Sequence, residues 1–125
     1  MVTTDTTQLN KECNLWRDEL RSCRNEMGRL RDQLQRFATG QNDKEVLSEV
    51  EHFHNQFYIQ QINIHDLKQA IKNHDRKLSM DISTSNGKVA DEIISEHEEL
   101  NDQYENLKHT IDELRSDFAN FVAKV

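Results

Sequence analysis

The sequence contains no proline and only three glycines, Gly28, Gly40 and Gly87. Without proline no helix is broken from within, and with so few glycines there is no Gly-rich loop to cradle a phosphate. Aromatic residues make up 6% and hydrophobic residues 34% of the 125 positions. That is too little to fill a thick core unless long elements share one narrow seam. No run approaches the roughly 20 apolar residues of a membrane span, and Met1 to Thr7 lack the apolar stretch of a secretory leader. A cytoplasmic protein with no membrane partner is expected. Positive charge is also short: a formal charge of -7 leaves no basic face for phosphates, which argues against nucleic acid as a partner. The two cysteines, Cys13 and Cys23, are ten residues apart on one predicted helix, about 15 Å, and cannot bridge each other.

Charge and periodicity are what the chain has. Charged residues are 31% of the total, and the apolar residues keep a four-three rhythm that a disordered chain would not hold. The organising stretch is Asp43 to Met80, in which Val46, Val50, Phe53, Phe57, Gln60, Ile64, Leu67, Ile71, His74 and Leu78 form one unbroken seam. The segment before it repeats the pattern from Leu9 through Cys13, Trp16, Leu20, Cys23, Met27, Leu30 and Leu34 to Phe37. The segment after it runs from Ala90 through His97, Leu100, Tyr104, Ile111 and Phe118 to Val125. Helices are expected over about 5–39, 43–80 and 87–124 in a single domain. Asp5 with Gln8, and Asn42 with Glu45, resemble capping boxes; Gly40 suits a left-handed turn; Asp81 to Gly87 reads as the second reversal. Gly28 lies on the outer face, as a tolerated residue or a hinge.

Short reversals between long helices force antiparallel neighbours. The predicted fold is therefore all-α: an elongated, coiled-coil-like, up-down-up three-helix bundle. Folding about the two loops sets Leu20 near Ile64, Cys13 near Ile71, Phe57 near Ile111 and Val50 near Phe118, and brings Arg17 within reach of Glu96. Residues 9–37 carry seven basic and five acidic side chains, and residues 88–125 four and ten, so the outer helices are expected to satisfy each other's charge. The rival assembly is a helical hairpin that dimerises.

No catalytic residues are expected and the chain is read as not an enzyme. Both cysteines sit on the apolar seam, where a thiol is normally inert, and there is no nucleophile elbow or zinc-protease motif. Glu49 with His52, and Glu51 with His54, match the Glu-x-x-His spacing of di-iron bundles but lie outside the seam of one helix. No cofactor or metal is assigned. The nearest metal candidates are Cys13, His74 and His97, seam residues brought toward one end of the bundle, where a Cys and two His could hold zinc or copper. The bland reading is that polar seam residues, Gln60 included, fix register and partner number.

On the middle segment Tyr58, Ile59 and Ile62, with Asn55 and His65 beside them, fall away from the seam. Such a cluster on an otherwise polar face more often marks contact with another chain, here a protein partner or a second copy in an isologous dimer. The alternative is that the bundle is slightly rotated and covers them.

The run Glu51-His52-Phe53-His54-Asn55-Gln56-Phe57, followed by Ile64-His65-Asp66-Leu67, resembles a pattern of small uncharacterised bacterial all-helical coiled-coil proteins, as does the tail Leu107 to Phe121. With the seam tryptophan Trp16, the plan is similar to spectrin-like three-helix bundles. Neither resemblance implies an activity. The functional expectation is a non-enzymatic coiled-coil scaffold or interaction protein that self-associates; the alternative is a metal- or small-ligand-binding bundle built on Cys13, His74 and His97.

Overall fold

The four-three spacing becomes three long helices. The computed structural model describes residues 6–84 and 90–124, as α1 (Thr6–Thr39), α2 (Lys44–Thr84) and α3 (Asp91–Lys124), with no strand among the described residues. At about 1.5 Å per residue these are rods of roughly 50, 60 and 50 Å. The helices form an all-α bundle in which α2 packs along both neighbours, and α1 and α3 approach each other mainly through side chains. No helix among the described residues is long and apolar enough to cross a membrane.

Every buried side chain described lies on one of the three predicted seams. Phe57, Ile64, Ile71 and Ile111 are fully buried at 0% exposure, and each contributes roughly 1.5–3 kcal/mol relative to an exposed side chain. Near the α1–α2 turn the core is aromatic. Phe118 packs on Phe53 and Phe57 with centroids 5.5 and 5.2 Å apart, and Phe121 on Phe53 and Phe37 at 5.1 and 5.4 Å. Gln60 interrupts the apolar seam near mid-length, where Asn63 donates to its carbonyl oxygen at 3.4 Å. At the far end Trp16 lies 4.6 Å from His97 and 6.1 Å from Tyr104.

The helix starts differ from the expected caps. Asp43, not Asn42, caps α2: its carboxylate accepts from the Glu45 amide at 2.9 Å and its carbonyl from Leu47 at 3.0 Å. Gly40 turns without the left-handed backbone anticipated for it, because the Gln41 amide already closes the turn on the Ala38 carbonyl at 3.1 Å. The Ala90 carbonyl accepts from Ile93 and Ile94, and Asp91 and Glu92 in the first turn of α3 favour its positive dipole end. The candidate cap at Asp5 lies outside the described residues.

The larger correction is register. Helix α2 continues past Met80 to Thr84, and α3 begins at Asp91 rather than at residue 87. Of the reversal expected over Asp81 to Gly87, residues 81–84 are helical and 85–87 lie outside the described residues, and α3 is shifted by about one turn along its neighbours. Phe118 meets Phe53 and Phe57 instead of Val50. Glu96 moves away from Arg17, which pairs with Asp75 of α2 at 3.3 Å and also bonds Asn14, while Glu96 bonds His74 and Lys77. The basic and acidic outer helices do not pair as charge balance suggested. The one Arg or Lys ion pair between them among the described residues runs the other way, from Arg115 of α3 to Glu26 of α1. The Arg115 Nε donates to Glu26 at 2.8 Å and its Nη1 to Asp112 at 2.8 Å.

Helix α1 is continuous through Gly28, so no hinge forms there, and a Cβ added at that position meets nothing within 4 Å. Gly28→Ala is expected to stabilise the protein by about 1 kcal/mol, read as a Tm rise of a few degrees. Burial, then the charges of Glu19 and Glu105, push the Tyr104 hydroxyl up from 10.0 to about 12. A group whose folded pKa is raised keeps its stabilisation below the unfolded value and loses it as pH rises through the folded one. Between pH 10 and about 12 the wild type should therefore lose on the order of 2 kcal/mol that Tyr104→Phe does not. Denaturant midpoints of the two proteins across that window measure the difference.

Candidate functional site

Two features stand out on this frame: a buried polar layer at the end of the bundle away from the α1–α2 turn, and the uncovered face of α2. In the polar layer each helix contributes one seam residue, Cys13 from α1, His74 from α2 and His97 from α3. They are 0%, 1% and 5% exposed. One donor atom of each lies within 4.8 Å of the other two, the only such group of three His, Cys, Asp or Glu among the described residues. The seam positions predicted to converge here do so. Glu49, His52, Glu51 and His54 stay on the exposed face, as expected.

Hydrogen bonds set the direction of the imidazoles. Burial alone would raise the Glu96 carboxyl, but bonds from His74 and Lys77 outweigh it and hold it below the usual range. Ionised Glu96 is an acceptor only, so His74 Nδ1, 2.7 Å from it, carries a hydrogen. His74 Nε2 faces His97 Nδ1 at 2.9 Å. The far nitrogen of His97, Nε2, is buried without a hydrogen bond, although Glu12 Oε2 stands 3.5 Å away. Protonating His97 would turn that approach into an ion pair. Burial, then His74, push its pKa down, against the opposing pull of Glu12 and Glu98. Neutral His97 with its hydrogen on Nδ1 presents a bare lone pair to a carboxylate.

Charge around the layer is organised by chain neighbours. Glu12 precedes Cys13, Asp75 follows His74 and Glu96 precedes His97, so an acid stands beside each buried donor. Arg17 on Asp75 and Lys77 on Glu96 offset part of that charge. Burial first, and then Asp75 and Glu12, push the Cys13 thiol from 9.0 up to about 12, against Arg17. Sequence reasoning missed Glu12 and Asp75 and assigned Glu96 to Arg17. The signal was their adjacency to polar seam residues, which puts all three on flanks of one layer. A cleft of about 280 Å³ between α2 and α3, bordered by Asn73, His74, Lys77, Glu96 and Gln103, reaches the layer on its His74 side, while Cys13 and His97 lie behind it.

On the second feature, Tyr58, Ile59 and Ile62 remain 54%, 43% and 43% exposed, and Asn55 and His65 are exposed beside them. The bundle is therefore not rotated to cover them. Ile62 lies directly opposite the α2 seam.

Compared with protein-family models, curated proteins and solved structures, the chain shows no match to any of them.

The two thiols should behave differently. Cys13 is fully buried and Cys23 half-buried, and only thiolate reacts with a disulfide reagent. At pH 8, in chelator, Cys23 should react first. Cys13 should react only through unfolding, slower by roughly 10³ or more. Reaction of both at one rate would contradict the packing around Cys13.

Proposed function

We propose that this chain is a non-enzymatic helical scaffold that self-associates through the outer face of α2. One observation carries the reading: that face is complementary to itself. Glu51, Asn55, Tyr58, Ile62, His65, Gln69 and Lys72 are all exposed and repeat the four-three step of the buried seam on the opposite side of the helix. At its centre Tyr58 and Ile62, with Ile59 beside them, leave apolar surface exposed that a second helix would cover. A two-fold axis at Ile62 sets two antiparallel copies so that Ile62 meets Ile62, Tyr58 meets His65, Asn55 meets Gln69 and Glu51 meets Lys72. An apolar centre, amide partners and opposite charges at the ends fall out of one axis. An isologous contact requires that property.

The stripe from Glu51 to Lys72 is only about 30 Å long, at the small end for a specific interface, which suits association in the micromolar range. Sedimentation equilibrium over roughly 10 μM to 1 mM should show a monomer–dimer equilibrium. Ile62→Asp should abolish it without loss of helicity. Glu51→Lys and Lys72→Glu should each weaken it, and the double exchange should restore it. A chain that stays monomeric throughout, or a dimer indifferent to these changes, would remove the basis for the scaffold reading.

A further inference from the structure

We propose that Cys13, His74 and His97 form a binding site for one divalent transition-metal ion, with zinc the best match to its donors. The site is separate from the α2 face, so this inference stands or falls independently of self-association. A thiol and two imidazoles brought to one point by three helices are the donors zinc accepts in tetrahedral sites that keep one position open.

The surroundings supply what such a site requires. A metal-bound imidazole usually donates its other N–H to a carboxylate, which fixes its orientation. Glu96 already holds His74 by Nδ1 at 2.7 Å, leaving Nε2 for the ion. Glu12 stands 3.5 Å from His97 Nε2, placed to do the same once the hydrogen of His97 moves from Nδ1 to Nε2. Coordination through Nδ1 enforces that shift. It also gives a partner to the one buried histidine nitrogen that lacks one. The two facing nitrogens, 2.9 Å apart, need to separate only to roughly 3.3 Å to share a tetrahedral ion at ordinary zinc–nitrogen distances. Rotation of the two rings and of the Cys13 side chain, whose sulfur lies within 4.8 Å of a nitrogen of each, would bring the three donors to one ion.

Charge balance favours a dication. Glu12, Asp75, Glu96 and Glu98 bring four negative charges to the surroundings of the layer, and Arg17 and Lys77 return two. Binding requires the Cys13 thiolate, so the thiol proton leaves to solvent. The surplus of negative charge then meets the two positive charges of the ion. The α2–α3 cleft bordered by His74 and Glu96 brings solvent to the His74 side of the site, from which an ion would enter as the His74 ring turns.

The test uses the full chain, stripped with chelator and titrated with Zn²⁺ and with Co²⁺ as spectroscopic surrogate. Equilibrium dialysis with elemental analysis should find one ion per chain. The Co²⁺ form should show a thiolate-to-cobalt charge-transfer band, and Tm should rise with Zn²⁺ and fall again with chelator. The band should survive Cys23→Ser and vanish in Cys13→Val, an apolar change that keeps the seam. Glu96→Gln should keep the stoichiometry but bind 10- to 100-fold more weakly. No stoichiometric binding, Co²⁺ bound without the thiolate band, or unchanged affinity in Cys13→Val would each overturn the proposal. If Cys13→Val does not fold, Cys23→Ser decides: a retained band supports the site and a lost band refutes it.

Discussion

The unbroken four-three spacing of α2 is the constraint on which the rest depends. A helix that meets both neighbours along one narrow stripe has about ten positions with which to build a core, and every one is used or partly used in this bundle. Any polar residue placed on that stripe is forced inside. There it must find partners or carry the cost of desolvation, on the order of 1–3 kcal/mol for each group left unmet. His74 resolves the problem with Glu96 and His97, and His97 is left with one nitrogen unmet. The polar layer at one end and the aromatic layer at the other follow from which seam positions the sequence fills with which side chains.

Electrostatics in this bundle is local rather than global. The excess of basic residues on α1 and of acidic residues on α3 suggests that the outer helices hold each other. Instead Arg17 turns to Asp75 of α2, Glu96 to His74 and Lys77 of α2, and the clearest α1–α3 ion pair joins Glu26 to Arg115 against the overall trend. Partly exposed pairs of this kind contribute at most about 1 kcal/mol each, too little to set helix register. Packing of Phe118 against Phe53 and Phe57, and of Trp16 against His97, sets it, and charged side chains take the partners that register leaves within reach.

The two faces of α2 differ in what covers them. Its buried seam is satisfied within the chain, whereas its outer stripe repeats the same spacing without a partner in the bundle. The proposed self-association and the proposed metal site therefore occupy opposite sides of the same helix, and disturbance of one need not reach the other.

Three helices, the identity of the seam residues and the all-α bundle were legible in the spacing of apolar residues, because helical periodicity is a local property. It also located Cys13, His74 and His97 on the seam, and Tyr58, Ile59 and Ile62 off it. It did not determine where α2 ends. Residues after Met80 keep enough helical tendency to extend to Thr84, and nothing in the Ser, Thr and Asn content of that stretch fixes the boundary to within a turn. A shift of one turn leaves each apolar layer facing another apolar layer, so hydrophobic pattern cannot detect it. The register of α3 emerges from the packed bundle, and with it the pairing of Glu96 with His74 rather than Arg17, because polar partners are chosen by distances of a few ångströms that seam spacing does not encode.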